Sequence, residues 1–244
     1  MYAAIWIAIS ALGAALPAAA ASCRDLSYDN ASFTICTADP ATEDIRLFLN
    51  DNAGQRLGTF DNIQTQLDGD QSLAFAMNAG MFHPDRRPVG LYIQNGTEIA
   101  RIVTRDGPGN FGLLPNGVLC LTDTTASVVE SRAFDRDPPN CRDATQSGPM
   151  LVIDGQLHPR FLPNSDSRFV RNGVGVTRDG LLVTAISNQP VNFHLFARLF
   201  RDQLETPNAL YFDGKVSRLY APDLNRHDIG FPMGPMLGIV HTAD

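Results

Sequence analysis

The chain has 244 residues, of which 44% are hydrophobic and 18% are charged, with 20 glycines and 16 prolines. This composition indicates a globular, turn-rich protein and argues against a disordered one. The formal net charge is −7 and the isoelectric point is about 5.1. Both argue against a broad surface that binds nucleic acid, because such surfaces are basic.

The first 21 residues contain no charged side chain and form an apolar run that ends in Pro17 and four alanines. An apolar core followed by a proline and small residues is typical of a secretory signal peptide. We predict that residues 1–21 are removed before Ser22 and that the mature chain is periplasmic or secreted. A membrane anchor is the alternative, although alanine is weakly apolar and no basic flank follows the run. A lipid on Cys23 is a further alternative, although the preceding residues make a poor lipoprotein signal.

Residues 22–244 are long enough for one sizeable domain and contain no internal repeat or linker. We predict a single domain over this range. We also expect a monomer that is not inserted in a membrane once the signal peptide has been removed.

All four cysteines follow the predicted cleavage point: Cys23, Cys36, Cys120 and Cys141. An even number in an exported chain indicates two disulfides, and three pairings are formally possible. We predict Cys23–Cys36 and Cys120–Cys141, because each bond closes a short local loop. No C-x-x-C or H-x-x-x-H spacing occurs, so we predict no cofactor. A Ca²⁺ ion held by oxygen-rich loops remains an open alternative.

The first half of the mature chain reads as strands with one short helix. Alternating polar and apolar residues predict a strand over 32–37, and the apolar run 45–49 is predicted to pair with it, before a turn at 51–54. A short helix is predicted at 63–67. The continuous apolar run 73–77 is typical of a strand buried on both faces. Further strands are predicted at 90–94, 118–121, 127–130, 150–153, 173–177, 181–186 and 209–212.

One longer helix is predicted over Asn192–Leu204. Its apolar residues form a single stripe, consisting of Phe193, Phe196, Ala197, Phe200 and Leu204. Asn192 is suited to cap the first turn, and Pro207 follows the end. The stripe is expected to pack against a sheet. Many strands with few helices indicate an α+β single domain, with a mixed, mostly antiparallel β-sheet and helices packed on it.

Four segments combine the end of an apolar strand with glycine and polar side chains. They are Asn78–Phe82, Gln146–Met150, Arg171–Gly175 and Asp213–Ser217. Glycine allows close approach of the backbone to a ligand or a positive φ angle, and the side chains supply hydrogen-bond donors. Each segment alone also fits a simple turn. Together they favour one convergent site.

The ordered set of segments resembles the phosphodiester glycosidase family. The pattern also includes Pro88-Val89-Gly90 and two Asp-Gly turns, at Asp154 and Asp179, and it spans about residues 73–240. Lys215 and Val216 depart from it, since they replace glycines expected after Asp-Gly. A β-branched Val216 resists a positive φ angle, whereas Lys215 could place positive charge near a phosphate.

The resemblance implies hydrolysis of a sugar-1-phosphodiester at the bond between the anomeric carbon and oxygen. A departing phosphate monoester, with a second pKa of about 6, needs less help from a general acid than an ordinary glycoside does. A carboxylate is still required at the anomeric centre, as nucleophile or as base. We predict that Asp213 is this carboxylate and that the substrate is a sugar phosphate or related envelope glycan.

The remaining candidates would bind substrate. Arg171 is the predicted phosphate clamp, because a guanidinium can bind two phosphate oxygens at once, and Arg87 is the second candidate. Asn78, the third predicted catalytic residue, would orient substrate oxygens together with other polar side chains. These are Gln146, Ser147, Asn172 and Ser217, with backbone N–H groups near Gly80, Gly148 and Gly214. The structural alternatives are that Arg171 forms a salt bridge with a surface acid and that Asn78 is only a turn residue.

Several other polar residues are given structural interpretations. The two Asp-Gly pairs at Asp154 and Asp179 are predicted to be hairpin turns. His83 could act as an acid but fits an exposed loop better, and Glu98 is a possible second carboxylate without local support.

Two alternative functions remain open from the sequence. An ordinary polysaccharide glycosidase would need a second carboxylate facing Asp213. A non-catalytic carbohydrate- or envelope-binding protein would benefit from aromatic platforms, but Trp6, the one tryptophan, lies in the predicted signal peptide.

Overall fold

The computed structural model describes residues 22–243. The predicted signal peptide lies outside this range. The strands, in chain order, are β1 (Ser22–Tyr28), β2 (Ala31–Ala38), β3 (Asp44–Phe48), β4 (Gln71–Asn78), β5 (Tyr92–Gln94), β6 (Thr97–Ala100), β7 (Gly117–Leu121), β8 (Ala126–Glu130), β9 (Asp143–Ser147), β10 (Met150–Ile153), β11 (Gln156–Leu157), β12 (Asn172–Val176), β13 (Leu182–Ser187), β14 (Asn208–Asp213), β15 (Leu219–Ala221), β16 (Arg226–His227) and β17 (Met236–Thr242). The α-helices are α1 (Phe60–Gln66), α2 (Ser131–Arg136) and α3 (Phe193–Arg198).

The strands form three sheets. The largest has the order β1-β2-β13-β12-β14-β10-β11, the second β16-β15-β4-β17-β3 and the third β6-β5-β9-β7-β8. Every strand pairing in the described range is antiparallel. Few helices accompany these sheets, so the α+β, mostly antiparallel fold class is confirmed.

The sheets share one apolar core. Phe212 of the large sheet, Met77 of the second and Leu119 of the third belong to the same buried cluster, and each side chain is fully buried. Burial of apolar side chains on this scale is the main favourable term in folding. The shared core, which includes Val174 of β12, also fixes how β4, β12 and β14 lie relative to one another, which matters for the site described below.

The predicted long helix is confirmed over its whole extent, in two parts. Asn192 accepts a hydrogen bond from the Leu195 N–H at 2.9 Å and so caps α3. The chain then continues as a π-helix over Leu199–Gln203. Phe196 and Phe200, from the predicted apolar stripe, are fully buried against the large sheet. The stripe is therefore core, as expected.

One predicted strand pairing is wrong. The strand near residues 45–49, β3, does not pair with β2 but with β17. Instead β2 forms a hairpin with β1, across Asp29 and Asn30, which have φ angles of 47° and 59°. Positive φ at both turn residues is the geometry of a tight two-residue hairpin. β1 and β13 thereby occupy both edges of β2, which leaves no edge for β3.

Both predicted disulfides are confirmed. Cys23 bonds Cys36, its direct partner in the β1–β2 hairpin, and Cys120 bonds Cys141. The two Asp-Gly turns are confirmed as well, since Asp154 and Gly155 join β10 to β11 and Asp179 and Gly180 join β12 to β13. Two disulfides fit a protein that folds outside the cytoplasm.

Removal of the second disulfide should lower stability without unfolding the chain. We expect the double variant Cys120→Ala, Cys141→Ala to lose about 3 kcal/mol of unfolding free energy, because the bond closes a loop of moderate length in the unfolded chain. Urea unfolding of the oxidised proteins measures this difference. As a control, titration of denatured, unreduced wild type should find no free thiol in the mature chain. Four free thiols would contradict the pairing.

Two further observations concern membranes and metals. Across residues 22–243, no helix has the length and apolar character needed to cross a bilayer. Nor do three or more His, Cys, Asp or Glu side chains in that range lie together in a way that could hold a metal ion. The prediction that the protein uses no cofactor stays a prediction.

Candidate active site

The ends of three strands meet beside one cleft. Asn78 ends β4, Asn172 begins β12 and Asp213 ends β14. Asn172 and Asp213 are partners in the β12–β14 ladder, but the next pair joins Gly173 to Tyr211, so Phe212 is an extra residue on β14. Such a bulge bends a strand and redirects its side chains, and bulges recur next to active sites. Three of the four predicted glycine-bearing segments therefore contribute to one location.

Asn78 and Asn172 form a reciprocal pair of buried amides. The Asn172 Nδ2 donates to the Asn78 carbonyl at 2.8 Å and to its Oδ1 at 3.0 Å, while the Asn78 Nδ2 donates to the Asn172 Oδ1 at 3.2 Å. The Asn172 Oδ1 also accepts the Asp213 backbone N–H at 3.2 Å. Both asparagines have 0% of their surface exposed. The pair thus holds the backbone of Asp213 from behind.

The carboxylate of Asp213 is held through one oxygen. Its Oδ1 accepts the backbone N–H groups of Gly214 at 2.6 Å and Lys215 at 2.9 Å. No hydrogen bond from the described residues reaches Oδ2, and Asp213 lines the cleft. Burial raises the pKa of this carboxyl above its ordinary value, against the lowering effects of the two N–H groups and of the Lys215 charge. The arrangement presents one oriented oxygen to a ligand.

The cleft has a volume of about 460 Å³. Phe82, Phe169 and Tyr211 supply aromatic surface, and Asn110 supplies a polar side chain. Among the described residues that line the cleft, Asp213 is the one carboxylate and Lys215 is the one cationic side chain. The lining therefore suits a ligand that has both apolar faces and polar edges.

Arg171, the predicted phosphate clamp, lies inside the wall of the cleft. It is 0% exposed. Its Nε donates to the Val191 carbonyl at 2.9 Å, its Nη2 to the Ser167 carbonyl at 2.9 Å and its Nη1 to the Tyr211 hydroxyl at 3.2 Å. Its Cζ lies 3.6 Å from the centre of the Phe193 ring. In the part of the chain that is described, no carboxylate forms a salt bridge with this guanidinium.

The charge of Arg171 is therefore solvated by carbonyls and aromatic faces. Burial lowers the pKa of Arg171 and the interaction with Tyr211 raises it, but a guanidinium stays protonated in proteins. Contact with three aromatic rings adds cation–π stabilisation. Arg171 itself does not line the cleft, but its guanidinium hydrogen-bonds the hydroxyl of Tyr211, which does.

Gln146 and Ser147 brace the structure behind the cleft. Gln146 accepts the N–H groups of Leu91 and Val103 through Oε1 and donates to the Ser131 hydroxyl. Ser147 donates to the Phe212 carbonyl at 2.9 Å. Both side chains are at most 2% exposed. Their predicted contact with substrate stays a prediction, and their placement favours a supporting role.

The predicted glycines act through close packing. A side chain at Gly80, where φ is 150°, would lie 3.1 Å from the Thr145 hydroxyl, and one at Gly148 would lie 2.5 Å from the Asn116 Cβ. Gly214 lines the cleft itself. A side chain there would lie 2.3 Å from the Tyr211 hydroxyl, so the tyrosine approaches the Asp-Gly turn closely.

The last two predicted binding residues differ in position. Ser217 donates to the carbonyls of Val170 and Asp213, at 2.8 and 3.0 Å, and so closes the turn that follows the carboxylate. Arg87 is exposed and pairs with Asp85, outside the lining of the cleft. His83 and Glu98 are also exposed.

Sequence reasoning missed several lining residues. Tyr211 lies in a predicted strand but received no role, and Phe169 was unassigned. Asn110 lies in a segment with glycines at 107, 109 and 112, a density of glycine that marks an irregular loop. That signal could have identified Asn110, whereas nothing local distinguishes the two aromatic residues.

Comparison with solved structures places the fold in a known class. The catalytic domain of zebrafish N-acetylglucosamine-1-phosphodiester alpha-N-acetylglucosaminidase, auto-inhibited by its pro-peptide, is similar at a TM-score of 0.62 and 15% identity, over 90% of this chain and 81% of that one. A hypothetical protein from Synechocystis is similar at a TM-score of 0.59 and 14% identity, over 90% of this chain and 61% of that one.

Sequence comparison then gives the family. Residues 71–240 match the phosphodiester glycosidase family. The chain is also 32% identical over 207 residues to the uncharacterized protein YigE of Escherichia coli K12, covering 84% of this chain and 81% of that protein. The chain belongs to the phosphodiester glycosidase family, so the resemblance noted from its motifs is confirmed. Membership supports a glycosidase-type hydrolase activity.

Proposed function

We propose that the protein hydrolyses a sugar-1-phosphodiester between the anomeric carbon and the phosphate oxygen, with Asp213 as the key carboxylate. The observation that carries the proposal is the lining of the cleft, where Asp213 has one fixed and one open oxygen and Lys215 follows two residues later. The zebrafish relative in fold is named for hydrolysis of such a diester. Family membership supports the same reaction class.

A single carboxylate is sufficient for this chemistry. The electron pair of the broken C–O bond stays on the phosphate oxygen, which leaves as a monoester with a second pKa of about 6. In the direct route, the open Oδ2 removes a proton from water as the water oxygen bonds to the carbon, and the proton then passes to solvent. In the covalent route, Oδ2 attacks the carbon, and water then breaks the new C–Oδ2 bond. This second step frees Asp213 as a carboxylate and releases the water proton to solvent. An ordinary glycoside needs a carboxylic acid as well, and the described lining offers none beyond Asp213.

Lys215 is the proposed direct contact for the phosphate. Its backbone N–H orients Asp213, and its side chain is exposed in the lining of the cleft. An ammonium group acts as a mobile point charge suited to phosphate oxygens. This assignment replaces the direct clamp predicted for Arg171, whose donors are bound within the wall.

The disulfides and the predicted signal peptide support a proposal for the place of action. Both disulfides favour an oxidising compartment. We therefore propose a periplasmic or secreted enzyme that acts on a sugar phosphate or envelope glycan.

Hydrolysis in ¹⁸O-labelled water tests the reaction. The mature protein is incubated with a sugar-1-phosphodiester and, separately, with the aryl glycoside of the same sugar. We expect release of sugar and a phosphate monoester without label, since cleavage at carbon leaves the phosphate oxygens untouched. Label in the phosphate would indicate a phosphodiesterase. Equal turnover of the glycoside would indicate an ordinary glycosidase. Binding without turnover would indicate a binding protein.

A parallel series with EDTA and added Ca²⁺ tests the expectation that no metal is needed.

The pH dependence of kcat/KM should reflect the ionisation of the buried carboxyl group of Asp213. Because burial raises the pKa of Asp213 above its ordinary value of 3.8, and because the ionised form is the reactive one, kcat/KM should fall with decreasing pH already above 3.8. A pH profile on the phosphodiester measures this acid limb. A rate that stays constant down to pH 3.8 would contradict the role of Asp213 or the effect of its burial.

A further inference from the structure

Tyr211 is placed where its hydroxyl can serve a ligand. The residue is 1% exposed, and its hydroxyl oxygen lies against Gly214, where an added Cβ would be 2.3 Å away. Gly214 lines the cleft and directly follows Asp213. The hydroxyl end of the ring therefore lies at the wall of the cleft, next to the carboxylate turn.

The hydrogen bond from Arg171 determines what this hydroxyl can do. The guanidinium Nη1 donates to the phenol oxygen at 3.2 Å, so the oxygen acts as an acceptor toward the interior. A hydroxyl has one proton and two lone pairs, so its proton remains available for another partner. Besides Arg171, the side chain of Asn110 hydrogen-bonds the hydroxyl. Asn110 lines the cleft together with Tyr211, so the partners left for the phenol proton lie on the cleft side of the ring.

The tyrosine remains a donor at neutral pH. Burial raises the pKa of the Tyr211 hydroxyl well above its ordinary value, against the lowering effects of Arg171 and of the Asn110 side chain. A leaving phosphate monoester is much more acidic than this phenol, with a second pKa of about 6. The proton consequently stays on tyrosine when a hydrogen bond forms.

We propose that Tyr211 is a catalytic residue that donates a hydrogen bond to the phosphate of the substrate, and that Arg171 is a positioning residue that directs this proton into the cleft. The inference rests on the proposed function. The donors of the buried Arg171 guanidinium are bonded within the wall and do not contact the phosphate directly. In this proposal Arg171 acts on the phosphate through Tyr211. Its positive charge polarises the phenol, which makes the O–H group a stronger donor as charge develops on the phosphate.

A pair of substrates separates this role from a structural one. The sugar-1-phosphodiester carries the group that Tyr211 would contact, whereas the corresponding glycosyl fluoride has no phosphate and needs the same Asp213. We expect Tyr211→Phe to lower kcat/KM for the phosphodiester on the order of 100-fold and to leave the fluoride within about 3-fold of wild type. An equal loss on both substrates would overturn the proposal.

Arg171→Met tests the positioning role, since methionine fills an aromatic-lined site without charge. We expect the same selective loss on the phosphodiester. We also expect the double variant Arg171→Met, Tyr211→Phe to be no slower than Tyr211→Phe alone, because both changes remove one interaction. Additive losses would show that Arg171 does not act through Tyr211.

Inhibition by phenyl phosphate gives a second measurement that does not depend on fluoride turnover. Its inhibition constant against the phosphodiester should rise about 10-fold or more in Tyr211→Phe. An unchanged constant would overturn the contact with phosphate. If wild type leaves the phosphodiester intact, the proposed function fails. If wild type is active and Tyr211→Phe equals it, the inference about Tyr211 alone fails.

Discussion

Asp213→Asn should reduce kcat on a sugar-1-phosphodiester on the order of 10³- to 10⁴-fold, as expected for loss of a group that reacts with the substrate. Asparagine keeps an Oδ1 that can accept the N–H groups of Gly214 and Lys215. It provides neither a nucleophile nor a base at the other position. Steady-state kinetics of the purified proteins measures the difference.

The same variant should be as stable as wild type or more stable. The pKa of Asp213 is raised in the folded protein, so between the unfolded and folded pKa values the native state binds more protons. Stability then falls as pH rises through this window, and the charged carboxylate is unfavourable at neutral pH. Asparagine removes that penalty. Urea unfolding at pH 7 should therefore show no loss.

Asp179→Asn is the matched control, because Asp179 is exposed in the turn between β12 and β13. It should leave both kcat and stability unchanged. If Asp213→Asn released sugar as fast as wild type and this control, the catalytic assignment of Asp213 would be wrong.

Asn172→Ala should lower the unfolding free energy by about 1–3 kcal/mol, the range for a change that leaves a buried polar group without its hydrogen-bond partner. The change removes the acceptor of the Asp213 N–H and the partner of the Asn78 amide. Activity should fall as well, since the carboxylate loses its support. Urea unfolding and kinetics measure the two effects.

Two further variants make this test specific. Asn52→Ala, at an exposed turn position, should change stability by no more than about 0.5 kcal/mol. Asn78→Ala combined with Asn172→Ala should cost less than the sum of the single changes, because both belong to one hydrogen-bonded pair. Additive costs in the double variant would contradict the reciprocal bonding described for the two amides.

The sequence was sufficient to predict much of the fold. Short-range sequence patterns predict correctly those features that depend only on residues close together in the chain. The cap at Asn192 and the Asp-Gly turn at Asp154 depend on neighbouring residues, and both appear as expected. β3 instead pairs with β17, a strand that lies almost at the other end of the described chain. No short-range pattern could have favoured that pairing over the nearer β2.

The candidate site shows the same division. Strand ends with glycine and polar residues predicted that Asn78, Asn172 and Asp213 would come together, and hydrogen bonds join all three. Which side chains face the ligand was beyond sequence reasoning, because orientation depends on packing between elements. Arg171 is the clearest case. An arginine in one of the glycine-bearing segments suggests a clamp, but its guanidinium is enclosed by aromatic rings, of which Phe193 and Tyr211 come from distant segments.

The position of β17 has a consequence for biosynthesis. This strand lies between β3 and β4, where Val240 pairs with Leu73. On the ribosome, the second sheet consequently lacks the strand that joins β3 to β4 until nearly all of the described chain has emerged. Pairing of such distant segments is also slow. The second sheet is thus completed late, and until then the chain can be bound by chaperones or passed through a translocation pore before its core closes.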